Sequence, residues 1–342
     1  MWKQYALKIK NKFNYSIDLK AIFFYRLIFG LYYKLDAPFI VCIFARIYCV
    51  FVVSVCLYYL FDSFAVRTIM PVFIYYMIVS IDIGGNVLFS LYAEEVNTIN
   101  FFNKLLRQFK LSYNNVFIYL FLIAQLIIIC VSLQENNTGF NFISHIMLYN
   151  NRLTTFYIIE MFRKTTKYLT KSYIKYVRCE NMSDEEKTTH LKTFLKDYEK
   201  LVHILNTIIF EIKFKILFSL ISDVTKMITA LYFTISVNAW VSIVISWYVQ
   251  VFLHLCMTCA PIVSMEITFN DLDEFKSILV KELLVYKDHN LRSTLFETIK
   301  YLELITTKYY LWNQYPINLK LVFGVFNLCT SMLSYLAVRT ID

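Results

Sequence analysis

With 5 glycines and 4 prolines in 342 residues, the sequence is short of the residues that make tight loops around phosphates and cofactors. It has no glycine-rich phosphate loop and no G-x-S-x-G nucleophile turn. Its 5 histidines, His145, His190, His203, His254 and His289, are scattered along the chain and form no H-E-x-x-H. Neither an enzyme nor a metal or other cofactor is expected from such a pattern. Charged residues are also few, at 17%, against roughly 25% in a soluble domain. No potassium-filter sequence or arginine ladder appears, and neither half resembles the other as transporter repeats do. Residues 1–20 are basic and polar, without the apolar core and small-residue cleavage site of a signal peptide, so this segment is expected to be retained.

Apolar side chains are abundant instead. Hydrophobic residues make up 58% and aromatic ones 18%, with a mean hydropathy of +0.52, which points to a membrane protein. Crossing about 30 Å of hydrocarbon takes roughly 20 apolar residues, and seven segments qualify. They are Ala37 to Phe61, Ile69 to Tyr92, Val116 to Leu133, Asn141 to Phe162, Ile216 to Ile235, Ala239 to Met265 and Ile317 to Val338. Of the 8 cysteines, seven lie inside apolar runs and only Cys179 sits in a charged loop, so no extracellular staple is expected. Cys256 and Cys259 form a C-x-x-C without a second cysteine or histidine pair at ligand spacing, and are expected to be buried packing thiols.

The basic residues decide the orientation. Seven lie before the first span, 3 in 93–115, 12 in 163–215 and 6 in 266–316, together 28 of the 34. The positive-inside rule then places the N-terminus in the cytosol and the C-terminus outside. That is the reverse of a G-protein-coupled receptor, and the D-R-Y and N-P-x-x-Y signatures of such receptors are missing. No nucleic-acid partner is expected. Asn136-Asn137-Thr138 is a glycosylation sequon on the outer side, either used or a chance match. The expected fold class is therefore all-α: seven transmembrane helices in a single domain over residues 1–342. It would have a cytosolic segment at 1–36, cytosolic helical extensions at 163–215 and 266–316, and a last span at 317–338.

Both extensions carry the helical period. In Glu186 to Lys215, Leu191, Phe194, Leu195, Tyr198, Leu201, Val202 and Leu205 recur at three- and four-residue spacing. In Leu272 to Leu304, Leu279, Leu283, Leu291, Leu295, Ile299 and Leu302 do the same. Such helices need an apolar partner, from each other or from a neighbouring subunit. Within the spans, Arg46, Asp82, Arg152, Asp223 and Lys226 are costly in hydrocarbon and should pair, snorkel or face a polar cavity. Asp223 and Lys226, three apart, are expected to neutralise one another. Asp82 and Arg152 are equally open to a structural or a ligand-binding reading.

Several segments fall in the order of a known family. Phe24-Tyr25-Arg26-Leu27-Ile28-Phe29-Gly30-Leu31 resembles the run before the first span of insect gustatory receptors, and Tyr198 through Asn206 to Leu231-Tyr232 resembles their helix-to-fifth-span region. The end of the sequence, Ser334-Tyr335-Leu336-Ala337-Val338-Arg339-Thr340-Ile341-Asp342, occupies the window of their terminal Thr-Tyr, five apolar residues, Gln-Phe. Ser334 and Tyr335 keep the first half of that signature. Ile341-Asp342 replaces Gln-Phe, and Arg339 enters the apolar stretch.

The resemblance implies a multi-pass plasma-membrane receptor that is a subunit of a tetrameric, ligand-gated, non-selective cation channel. Its partners would be a small organic tastant, bitter-type favoured, cations, the lipid bilayer, and itself or related subunits. Leu333, Ala337, Arg339, Thr340, Ile341 and Asp342 would then lie at the pore or gate. Asp82, Arg152, Tyr157, Trp240 and Trp247 are the ligand-pocket candidates. The alternative is a non-conducting receptor-like subunit or scaffold, which the altered terminus also fits.

Overall fold

The computed structural model describes residues 23–35, 37–65, 70–93, 96–109, 123, 139–177, 182–237, 241–304, 310–311, 315–316 and 319–341. Among them the helices are α1 (Phe39–Ala65), α2 (Met70–Ala93), α3 (Val96–Phe109), α4 (Gly139–Val177), α5 (Asp184–Asn206), α6 (Ile209–Val237), α7 (Val241–Val285), α8 (His289–Leu304) and α9 (Leu319–Ile341). One short antiparallel ladder pairs β1 (Tyr310–Leu311) with β2 (Tyr315–Pro316), Tyr310 opposite Pro316.

To within two residues at their starts, six of the seven expected spans fall within α1, α2, α4, α6, α7 and α9. The third, Val116 to Leu133, lies outside the described residues apart from Ile123. At 1.5 Å per residue, the 39 residues of α4 reach about 58 Å and the 45 of α7 about 67 Å. Each is about twice the hydrocarbon thickness, so each expected span runs on without a break into its expected extension. Among the described residues, three segments are long and apolar enough to cross a membrane: Phe39–Tyr59, Phe73–Ala93 and Val249–Val285.

The described residues form two compact units. One comprises Met1–Thr155, Phe214–Thr258 and Val325–Asp342; the other comprises Phe156–Lys213 and Cys259–Gly324. In the first, α1 packs on α2, and Leu31, Val53, Tyr75, Tyr76, Val79, Ile83, Val87, Met147, Leu148, Ala230 and Val251 make a continuous core. Before α1, the helical turn at 23–28 ends in a Schellman motif. Leu31 N–H donates to the Arg26 carbonyl at 3.0 Å and Gly30 N–H to that of Leu27 at 2.9 Å. Gly30 adopts the left-handed φ of 81° that this closure needs. On α2, a Cβ placed at Gly85 would stand 2.5 Å from Phe218 Cζ, whereas one at Gly84 would meet nothing within 4 Å. Only Gly85 is required to be small.

In the second unit α5 and α8 pack together. Leu291, Thr294, Leu295, Thr298, Ile299 and Leu302 bury one stripe of α8, at the spacing read from the sequence. Ser183 and Glu186 form a reciprocal capping box at the start of α5. A cluster of rings fills the interior: Phe275 lies 4.9 Å from Phe194 and 5.6 Å from Tyr173, and Phe194 stacks on Tyr198.

Several expectations need correction. The amphipathic helix foreseen over 186–215 is divided after Asn206, because Thr207 and Ile208 donate to the carbonyls three residues back and tighten the turn. The one foreseen over 272–304 is divided at 286–288, because the Asp288 carboxylate accepts from Leu291 N–H at 2.8 Å and starts α8 afresh. Residues 96–109, read as loop, are helical as α3, with Phe101, Phe102 and Leu105 buried. Of Cys256 and Cys259, both expected to be buried, only Cys259 is. Three helical steps leave the two side chains about 60° apart around α7, so one packs while the other does not.

Candidate functional site

The first unit hides its charges. Asp82 on α2, Arg152 on α4, and Asp223 and Lys226 on α6 are all buried. Arg152 Nη2 reaches Asp82 Oδ2 at 3.1 Å and Asp223 Oδ1 at 2.5 Å. Lys226 Nζ binds Asp82 directly and stands 3.7 Å from Asp223. The pairing expected within α6 is therefore secondary, since Lys226 answers chiefly to a carboxylate on another helix. Two cations and two anions balance, which is what allows ionised groups to stay out of water.

Neutral groups complete the shell. Ser222 Oγ donates to Asp82 Oδ2 at 2.8 Å, and Asn86 Nδ2 to Asp82 Oδ1 at 2.8 Å. Asn151 Nδ2 donates to Asn86 Oδ1 at 2.5 Å. Thr258 Oγ1 on α7 accepts from Arg152 Nε at 2.9 Å and donates to Asp223 Oδ2 at 2.7 Å. Each carboxylate thus meets donors on both oxygens, so no charge of the centre is left buried without a counter-charge and a hydrogen bond.

A chain of nitrogens leads away from it. Arg152 Nη1 lies 3.2 Å from His254 Nδ1, and His254 Nε2 lies 3.1 Å from His145 Nδ1. A guanidinium has donors only, so His254 Nδ1 must accept and the ring proton must sit on Nε2. That proton is donated to His145 Nδ1, which fixes the His145 proton on its own Nε2. The ring centroids are 5.4 Å apart with planes inclined by 25°, a separation suited to rings meeting edge to edge along the N–H···N line. On both α4 and α7 the chain steps toward the helix N-terminus, from Arg152 to His145 and from Thr258 to His254.

Of the ligand candidates named from sequence, Asp82 and Arg152 meet in this network. Tyr157 is half-buried in the second unit. Trp240 is outside the described residues, and Trp247 lies on α7 with its side chain outside them. Ser334 and Tyr335 are exposed on α9, Ser334 Oγ donating to the Thr330 carbonyl at 3.0 Å. Leu333, Ala337, Arg339, Thr340 and Ile341 lie on α9 with side chains outside the described residues, as do Asn136 and Asp342 entirely. Sequence reasoning missed His254, Ser222, Thr258 and Asn86, and took His145 and Asn151 only as polar residues of the fourth expected span, which could tilt it or line a polar cavity. A signal existed: Asp82 and Asn86, Ser222 and Lys226, and His254 and Thr258 are each four apart, a polar stripe one turn long on otherwise apolar helices. Among the described residues, no cluster of three or more histidine, cysteine or acidic side chains is placed to hold a metal ion.

No protein-family model and no curated protein matches the sequence. Solved structures do match it in fold. The insect olfactory receptor OR5 from Machilis hrabei superposes with a TM-score of 0.67 at 12% identity, over 95% of this chain and 97% of that one. The same receptor in complex with eugenol gives 0.62 at 12% identity, over 96% and 99%. Over nearly its whole length, the chain has the fold of an insect olfactory receptor.

Proposed function

We propose that the chain is a divergent member of the insect seven-transmembrane chemoreceptor superfamily, a subunit of a ligand-gated, non-selective cation channel. The observation that carries this reading is the end-to-end likeness in fold to an olfactory receptor that has been solved with a small organic molecule bound. The sequence supports it independently through the gustatory-receptor windows at Phe24 to Leu31 and Ser334 to Asp342. It is read as a tetramer in the plasma membrane, with seven spans, a cytosolic N-terminus and α9 lining the pore. The ligand is a small organic tastant, bitter-type favoured, bound in the first unit.

Expression in cells with a calcium readout, against a panel of sugars, alkaloids and phenolic plant metabolites, tests the channel. Ligand-evoked cation current with a monovalent and divalent permeability is the expected result. Silence in cells that carry the protein at the surface, with or without related receptors, would overturn it. The departures at Arg339 and Ile341-Asp342 favour a second reading, a non-conducting subunit. Current that appears only on co-expression, with a changed ligand profile, is its mark.

A further inference from the structure

His145 has an unanswered hydrogen. The side chain is 8% exposed against 1% for His254, its Nδ1 is engaged by His254, and its Nε2 meets no partner among the described residues. Arg152, acting through His254, forces the proton onto that nitrogen. The carboxylates and cations behind it are paired with one another and hydrogen-bonded to Ser222, Asn86 and Thr258. The network therefore ends, on the His145 side, in a neutral N–H donor.

We infer that His145 is the specificity-determining donor of the first unit, and that its ligand is a small neutral molecule presenting an oxygen or ring-nitrogen acceptor. This rests on the chemoreceptor reading. A cation has no lone pair to offer the N–H. An anion would be buried opposite an uncharged imidazole, with Arg152 and Lys226 already committed to Asp82 and Asp223. His254 is a positioning residue: it touches no ligand, but without it His145 is free to take either tautomer.

The test uses the full chain in lipid nanodiscs with 15N-labelled histidine, at neutral pH. Both His145 and His254 should show protonated Nε2 and bare Nδ1. Nδ1–H or an imidazolium at either residue would overturn the relay, whatever the protein's function. The same sample is then titrated with neutral oxygenated aromatics, eugenol, acetophenone and coumarin, and with their hydrocarbon counterparts, allylbenzene, ethylbenzene and indene. At least one oxygenated compound should move the His145 Nε2–H resonance while its counterpart does not. The variant His145→Phe should bind that compound about three- to tenfold more weakly, the worth of one neutral hydrogen bond. His145→Gln, which keeps an N–H, should recover most of the loss and guards against a folding defect. Shifts from none of the compounds, or equal shifts from both members of each pair, would overturn the ligand assignment. Cation current, measured separately, decides the channel reading.

Discussion

The two units of this chain solve burial in opposite ways. In the first, Asp82, Arg152, Asp223 and Lys226 are inside, while α1 turns Phe39, Ile40, Phe44, Ile47 and Phe51 outward, Phe39 with 79% of its surface free. In the second, the rings of Tyr173, Phe194, Tyr198 and Phe275 are inside, and Lys192, Lys196, Glu199 and Lys200 line the outer face of α5. The second arrangement is what water dictates. The first suits a solvent as apolar as the core itself, where burying a leucine gains little and an unpaired charge has nowhere to go. In such a solvent, helices are held in register by polar groups that find partners only in one arrangement. The tetrad and its neutral shell tie α2, α4, α6 and α7 in that manner.

The largest expected effect breaks this contrast at its centre. Lys226→Met leaves Asp82 and Asp223 with Arg152 alone, an unbalanced buried charge, and should cost about 3–5 kcal/mol. The double variant Asp82→Asn, Lys226→Met restores the balance with the Arg152–Asp223 pair intact and should regain most of the loss. Unfolding midpoints from fluorescence-detected size exclusion would show it. A double variant as unstable as the single one would mean that the network is held by shape rather than charge.

Next in size is a comparison of rings. Phe275→Ala empties the middle of the second unit's aromatic cluster and should cost about 3–5 kcal/mol. Phe44→Ala, on the outward face of α1, should change stability by no more than about 0.5 kcal/mol in nanodiscs. If Phe44→Ala destabilised as much as Phe275→Ala, α1 would have a protein partner on that face instead of lipid.

How much of this was legible depended on whether the information lay in one helix or several. The stripes of α5 and α8 could be read directly, because Leu191, Phe194, Tyr198, Leu291, Leu295 and Ile299 repeat at the period of the helix that buries them. So could α1 and α2, by length and hydropathy. The charged residues of the tetrad stood out as costly in an apolar run, but their pairing did not. Lys226 lies three residues from Asp223 and 144 from Asp82, and sequence distance favours the wrong partner. The histidines were harder still, since His145 and His254 are 109 residues apart and neither is unusual alone. The helix α3 was missed because its apolar face is short and sits among polar residues.

A smaller effect distinguishes two adjacent glycines on α2. Gly85→Ala drives a Cβ against the end of the half-buried Phe218 ring, which is stacked on Phe214 at 5.9 Å. Overpacking of this kind costs about 1–3 kcal/mol. Gly84→Ala meets open space and gains helix propensity, so it should be neutral or stabilising by up to about 1 kcal/mol. Thermal midpoints of the two variants falling on the same side of wild type would show that the α2–α6 approach is looser than these distances.

The smallest effect lies in the second unit and appears only at high pH. Tyr173 is buried, and its hydroxyl donates to Glu282 Oε2 at 3.2 Å. Burial, and after it the Glu282 carboxylate, pushes the phenol above its ordinary value. The folded state therefore holds this proton more tightly than the unfolded chain does. By linkage its contribution to stability is complete below the ordinary phenol value of about 10 and is lost as pH rises beyond it, when the unfolded phenol ionises first. Absorbance titration should show Tyr173 ionising after the exposed tyrosines, as one fewer late-titrating group in Tyr173→Phe. That variant should also lose stability less steeply above pH 10 than wild type. An unchanged alkaline slope would mean that Tyr173 reaches water more readily than its neighbours Phe194 and Phe275 imply, and that the second unit's ring cluster is open on the Glu282 side.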